Sequence, residues 1–417
     1  MRTALKKDCF RLAILLLSLA APFLPAHGAD YVLTNVNVFN GFEDRIRTNT
    51  SVFVRNGKIE RIAEETASGG TPLSDGYVVI DCEGYFLLPG LFDVHTHLDS
   101  LDRARRALES GVTTVRTAGV DGFSDVGLRE LVRAGKLPGP DVSAAGIFVT
   151  PDIGDDILDD PRLADLAGGV TSDEALRLLV RINADRGVDV IKTRGTERAG
   201  RPDTDPREQV YTERQLRVIV KEAAKHDIPV LAHAHGDEGA RAAVLAGARS
   251  IEHGTYLQDE TLRLMKERGT WFVPTYITMD EMNEPKYDYV LRLRGKHMVP
   301  QLEKAFKAAH RMGVKIATGA DNYYESESIN RISLEVAHFV RMGMSNFEAL
   351  QSATIVSAEL LRLEKITGRI AEGFEADMIL VPANPLADIA ALQDVLLVMS
   401  NGQVALQRIP FAKHDRL

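Results

Sequence analysis

The chain has 417 residues, of which 26% are charged and 45% hydrophobic, and it carries a formal net charge of −9. This balance excludes an intrinsically disordered polymer and a bundle of membrane helices, and the acidity argues against nucleic acid or anionic lipid as a partner. The length suits one large barrel plus a smaller lobe, because single cores stop growing near roughly 250–300 residues.

Arg2, Lys6, Lys7 and Arg11 open the chain, Leu12 to Ala21 forms an apolar run too short to span a bilayer, and Ala26-His27-Gly28 offers small residues two apart. The pattern predicts a signal peptide over residues 1–28, secretion to the periplasm, and no stable membrane insertion once it is cleaved. Removing Arg2, Lys6, Lys7, Arg11 and Asp8 takes away a net +3 and leaves the mature chain near −12. Cys82 is then the only cysteine, so no intrachain disulfide can form, stability has to come from the core, and a homo-oligomer is expected.

From Tyr31 to Ile80 the runs are short and alternating (YVLTNVNVF, SVFVRNGKIERI, then GYVVIDCEGYFLL), with Asn56-Gly57 as a tight-turn signal. The same texture returns in ADMILVPA and DVLLVMSNGQVAL, with a second Asn-Gly at 401–402. Together they predict one β-sandwich lobe built from residues 29–88 and 366–417. Between them lie eight candidate strands, at 91–97, 112–118, 141–147, 188–194, 229–235, 249–255, 271–276 and 314–321, alternating with amphipathic stretches such as those capped by Ser172 and Thr212. This alternation predicts an α/β fold, a (β/α)8 TIM barrel over residues 89–365, whose reactive residues sit at the C-terminal ends of strands. A single helix is expected from Ser345 to Leu361.

Polar residues stand where such a barrel would use them. His95 and His97 end the first strand and, two apart, project to one face; Lys192 ends the fourth, His233 the fifth, His253 the sixth and Asp321 the eighth. A lone His-x-His is common at surfaces, and a single strand-end histidine is more often satisfied or exposed than a ligand. Six potential ligands at strand ends on one rim instead predict a metal site.

The motifs PGLFDVHTH, IKTRG, AHAHG, IEHGT and TGAD together resemble the amidohydrolase superfamily, over nearly the whole mature chain. The resemblance implies two divalent metal ions, most often zinc, bridged by a carbamate on Lys192. His95, His97 and Asp321 would hold the more buried ion and His233 and His253 the more exposed one, with Asp321 moving a proton from the attacking water to the leaving nitrogen. The carbamate has a physical rationale of its own. An ammonium repels a cation, whereas burial lowers a lysine's pKa, frees a neutral amine to capture carbon dioxide and so yields an anionic oxygen donor.

Strand five carries two histidines on one face, and alternation does not choose between them. The superfamily pattern of His followed by Ala puts the ligand at His233 and leaves His235 as a residue behind the ligands or facing substrate. Position 236 is Gly where ring deaminases and imidazolonepropionases of the superfamily have Glu, which counts against a ring deaminase. AHAHG and IEHGTYL look most like the Xaa-Pro and Xaa-Arg/Lys dipeptidase branch, in which Tyr256 would donate a hydrogen bond to the substrate carbonyl.

A substrate's terminal carboxylate needs a cation, and Arg194 stands closest to a strand end, ahead of Arg198 and Arg201. If the loops TPDIGDDILDDP and TYITMDEMNEPKYDY fold over the rim, their acids favour basic side chains. The expected substrate is a small molecule or short peptide, a dipeptide or N-acyl amino acid. Hydrolysis of a cyclic amide or a lactone on the same metals is the enzymatic alternative; a non-catalytic binding protein on this fold is disfavoured because no ligand is missing. In the return segment from Ile366, Asp377 is expected to pin a turn.

Overall fold

The computed structural model describes residues 29–64, 76–328 and 331–409; residues 1–28, where the signal peptide is expected, lie outside the described residues. Five strands come first: β1 (Asp30–Phe39), β2 (Ile46–Arg55), β3 (Lys58–Glu64), β4 (Tyr77–Asp81) and β5 (Phe86–Pro89). Asn56 and Gly57 both have positive φ, 52° and 78°. That is the backbone a two-residue turn between twisted strands demands, and it sets the β2–β3 hairpin.

The parallel strands follow: β6 (Leu91–Thr96), β7 (Val112–Thr117), β8 (Asp141–Ser143), β9 (Ile191–Arg194), β10 (Val230–Ala234), β11 (Ser250–His253) and β12 (Trp271–Val273). Helices α1 (Leu101–Glu109) to α6 (Asp259–Arg268) each follow one of β6 to β11; α2 is Ser124–Arg133, α3 Asp173–Asp185, α4 Glu213–Ala224 and α5 Asp237–Ala246. After β12 come α7 (Tyr276–Glu281) and α8 (Tyr289–Met312). The capping signals act as read. Ser172 accepts from Ala175 N at 3.1 Å, and Thr212 forms a reciprocal capping box with Gln215. Behind those caps Leu176, Leu179 and Val180 on α3 and Leu216, Ile219 and Ala223 on α4 are buried in one continuous core, each larger side chain contributing about 1.5–3 kcal/mol of transfer free energy.

The result is a TIM-barrel-like α/β fold whose strands form two parallel sheets, β6-β7-β8 and β12-β11-β10-β9, with no single closed sheet among the described residues. Isolated parallel bridges span the gaps. Val149 pairs with Thr193, and the eighth segment pairs through Ile316 with Phe272 and through Asn322 with Thr96. Residues 314–321 are therefore not the regular strand expected from sequence. Gly319 presses so close to His95 that a Cβ there would lie 2.7 Å from the His95 Cβ, and Asp321 turns left-handed at φ 51°, so the ladder is interrupted where it delivers its functional residue.

The helix expected from Ser345 to Leu361 is two: α10 (Asn346–Ser352) and α11 (Ile355–Leu360), after α9 (Ile332–Arg341). The break turns Ser352 O and Ala353 O outward to accept Thr318 N (3.2 Å) and Phe92 N (2.9 Å). Ser352 and Thr354 side chains bond back to Ala349 O and Leu350 O, competing with the helix ladder.

β13 (Met378–Val381), β14 (Leu397–Ser400) and β15 (Gln403–Gln407) return to the first strands, giving one sheet in the order β15-β14-β13-β5-β1-β2-β3 with β4 paired to β1. Both ends of the chain thus contribute strands to one eight-stranded sheet. Asp377 holds its turn as read, accepting from Thr367 Oγ1 (2.6 Å) and Asn401 N (2.8 Å).

Candidate metal centre

The strand-end residues meet. His95 lies 3.4 Å through Nε2 from Lys192 Nζ and 3.5 Å from Asp321 Oδ1, and His97 Nε2 lies 2.9 Å from the same carboxylate oxygen. Ring centroids separate His95 from His253 by 4.9 Å and His233 from His253 by 4.5 Å. His233, His235 and His253 form one group of potential ligand atoms within 4.8 Å of one another, and His95, His253 and Asp321 form another.

Partners behind the rings fix which nitrogen is free. Glu252 is ionised: burial alone would raise it, but Arg116 and His95 outweigh that and hold it at about 2. A carboxylate only accepts, so His95 Nδ1, 2.6 Å away, donates to it, and Nε2 is left bare. His97 Nδ1 faces Gly119 O at 2.6 Å, and its Nε2 is turned to the Asp321 carboxylate. Thr275 spends its hydroxyl proton on Pro274 O (2.8 Å), so it accepts from His253 Nδ1 at 2.7 Å. His233 donates through Nε2 to Glu197 O at 3.1 Å, leaving Nδ1. His235 Nδ1 contacts Thr255 Oγ1 at 2.9 Å.

Burial holds these imidazoles neutral: His95 falls to about 4, His235 to about 3, and His233 and His253 fall well below the usual range. Burial likewise lowers Lys192 to about 7, against the pull of Glu252 and Asp321. Asp321 would be raised by burial, but His95, the His97 hydrogen bond and Lys192 bring it to about 2. The outcome is a set of lone pairs on His95, His253 and Asp321 gathered around shared space, with His97 Nε2 against the same carboxylate. Such a set repels itself unless a cation enters, and imidazole plus carboxylate is a donor set divalent zinc accepts.

The backbone is strained at the same place. His253, Thr275 and Asp321 all have left-handed φ, 71°, 48° and 51°, a conformation costing about 1–2 kcal/mol per non-glycine residue. Two are candidate ligands and the third orients one, as expected where packing and hydrogen bonds over-determine a functional residue.

A cavity of 1260 Å³ opens onto the cluster, lined by all six predicted ligands, His235 and Arg194. Arg194 and Arg198 lie 5.1 and 5.5 Å from the ring of Phe148, and Arg194 reaches Glu197 at 3.3 Å. Asp152, Asp155, Asp156 and Asp159 of the loop after β8 line it too, so that acidic loop does reach the rim; of the loop after β12, Thr278, Met279, Met282 and Tyr287 line it and its acids do not.

Tyr256 is not on the wall among the described residues. The positive φ of His253 and Gly254 turns the chain, and its ring rests 6.0 Å from that of His297. His235 shares the cluster with His233, so the geometry separates the two no better than alternation did.

Several residues that brace the cluster escaped the sequence. Glu252 anchors His95 and also accepts from Arg116 Nη2 at 2.9 Å. Tyr323 stacks on His97 at 4.7 Å and 16°. Asp93 accepts from Tyr324 Oη and Ala320 N, bracing the eighth segment. Only Glu252 left a signal: a charged residue beside His253 on a strand too buried to leave it unpaired.

Comparison with known proteins agrees with this geometry. The sequence profile described as the amidohydrolase family matches residues 86–405. The ochratoxinase of Aspergillus niger is 28% identical over 355 residues, 74% of this chain and 72% of the fungal one. A solved Xaa-Pro dipeptidase with methionine bound in its active site superposes with a TM-score of 0.81 at 28% identity, covering 90% of this chain and 99% of that one. An imidazolonepropionase of Colwellia psychrerythraea is 24% identical over 79% of this chain and 84% of its own length. With that profile spanning both the histidine-bearing strands and the returning sheet, the chain belongs to the amidohydrolase family.

Proposed function

We propose that the protein hydrolyses the amide bond of a dipeptide or N-acyl amino acid, using two divalent metal ions held by His95, His97, His233, His253, Asp321 and a carbamate on Lys192. The observation that carries this is the gathering of imidazoles around Lys192 and Asp321, in which His95, His233 and His253 each commit one nitrogen to a partner behind the ring and leave the other toward the cavity. Two zinc ions bound there supply Lewis acidity toward a carbonyl oxygen and make water more acidic.

The residues do the rest. Asp321, a carboxylate near neutral pH, takes the proton of the attacking water at one oxygen and returns it to the leaving nitrogen. Lys192, with its amine near about 7, is partly neutral; its lone pair forms the N–C bond with carbon dioxide while one proton departs to solvent, so a repelling cation becomes an anionic oxygen donor. Arg194 and Arg198 offer guanidinium groups to a terminal carboxylate, and the aspartates of the loop after β8 favour a cationic group elsewhere on the substrate. His235 faces substrate. Tyr256, off the cavity wall, is given no role.

The isolated bridges of the eighth segment support a closed (β/α)8 barrel in solution, and the N-terminal sequence supports export to the periplasm. A panel of Xaa-Pro, Xaa-Arg, Xaa-Lys and Xaa-Leu dipeptides, beside a lactone and a hydantoin, tests the substrate class with and without added zinc. Metal-dependent turnover of dipeptides, with Xaa-Arg and Xaa-Lys ahead of Xaa-Leu, is expected. Turnover confined to the lactone or hydantoin would overturn the assignment.

A further inference from the structure

A second cavity, of 310 Å³, opens at the opposite end of the strands. Val190, Val230 and Arg249 on its wall stand at or just before the first residues of β9, β10 and β11, whereas the histidines stand at or next to the last. Three guanidinium groups line it, those of Arg116, Arg249 and Arg362.

Two of the three are neutralised in place. Arg116 pairs with Glu252 at 2.9 Å, and Arg362 pairs with Asp227 at 3.0 Å. Asp189, also on the wall, is matched by Arg129. Arg249 makes no ion pair among the described residues. Its Nε and Nη2 donate to the carbonyls of Leu360 (2.7 Å) and Glu359 (2.8 Å), and Nη1 has no partner among the described residues. The indole of Trp271 supports it at 4.5 Å, and Lys315 on the same ring is matched by Glu359, so among these cations Arg249 is the one without an ion pair among the described residues. Arg362 and Arg116 add like-charge repulsion to burial, and both push the Arg249 pKa down.

We propose that this cavity binds a small oxyanion, of phosphate or carboxylate type, on the free donors of Arg249 and Arg362. The nitrogens of Arg116 are engaged by Val94 O, Ser250 Oγ and Glu252, so it adds field rather than a new hydrogen bond. An anion relieves the crowding of the three cations and supplies the charge-assisted partner Arg249 lacks.

Inorganic phosphate is titrated calorimetrically into the metal-loaded full chain at constant ionic strength, with acetate and chloride as parallel arms. Because phosphate also ligates metals, the titration is repeated on His253→Ala, and on Arg249→Gln and Arg362→Ser, whose melting curves without phosphate confirm folding. Among the described residues Arg362 bonds to Asp227 alone, at an exposed position, so its loss is tolerated. One saturable site per chain is expected for phosphate or acetate but not chloride, retained in His253→Ala and weakened at least tenfold in both arginine variants. Binding that is absent, lost only with His253→Ala, or unchanged in both arginine variants overturns the proposal.

Discussion

Glu252→Gln removes one buried charge and tests how much of the centre is held from behind. Glu252 is fully buried, with His95 Nδ1 at 2.6 Å on one oxygen and Arg116 Nη2 at 2.9 Å and the Ser250 hydroxyl on the other. The amide oxygen can keep the Arg116 contact, but as a neutral acceptor, and it leaves a buried guanidinium without its counter-charge. Breaking a buried pair in this way costs about 3–5 kcal/mol.

The amide nitrogen fares worse, because it brings N–H donors against the His95 Nδ1–H. The imidazole has to move its proton to Nε2, the nitrogen directed at Asp321 and Lys192, and that lone pair is lost to a metal. Loss of such an orienting partner weakens metal affinity about 10–100-fold. Urea denaturation of the metal-free protein and chelator-competition titration of zinc separate the two effects. Unchanged zinc affinity in a folded Glu252→Gln would refute the tautomer argument, and unchanged stability would refute the buried-pair argument.

Tyr323→Ala, which removes the ring stacked on His97 and beneath Arg103 at 5.6 Å, should weaken zinc binding about 2–10-fold, since such a ring pair is worth about 0.5–1.5 kcal/mol; Tyr323→Phe, which keeps the stack, should bind like wild type in the same titration. Glu335 is pushed up to about 8 by burial, against the two backbone N–H groups of Tyr276 and Ile277 that it accepts. Its native pKa lies above the unfolded value, so its contribution to stability is complete below about pH 4.5 and is lost as pH rises toward 8. The stability difference between wild type and Glu335→Gln, measured by urea unfolding, should therefore shrink from pH 5 to pH 8, and a constant difference would contradict the shift. Cys82 is buried and its thiol is pushed up to about 12, so peptide mapping after maleimide treatment at pH 8 should find it unlabelled in the native protein and labelled in denaturant.

The candidate ligands were readable because each lies in or next to an apolar run with a barrel strand's pattern, and a residue's place along such a run already says which rim it joins. The groups that set their tautomers were not readable in the same way. Gly119 O is a backbone atom, and Thr275 reaches His253 through a left-handed turn that no pattern of side chains announces. Tyr256 was given its role by resemblance alone, and the positive φ of His253 and Gly254 turns the chain so that it lies off the cavity wall among the described residues. The eighth strand and the helix at 345–361 were drawn too regular because their apolar periodicity is intact. Each is interrupted by long-range bonds, from Thr318 and Phe92 to the carbonyls of residues 352 and 353, that exist only once the barrel has formed.

Elemental analysis of the purified full chain, set beside His95→Ala, Lys192→Ala and Asp321→Asn, tests the metal centre most directly. Two divalent ions per folded wild-type chain, fewer in each variant, with both metal and hydrolytic activity lost to a chelator and restored by zinc, is the predicted result. A folded wild-type chain that binds no stoichiometric metal, or variants that keep the full complement, would contradict it.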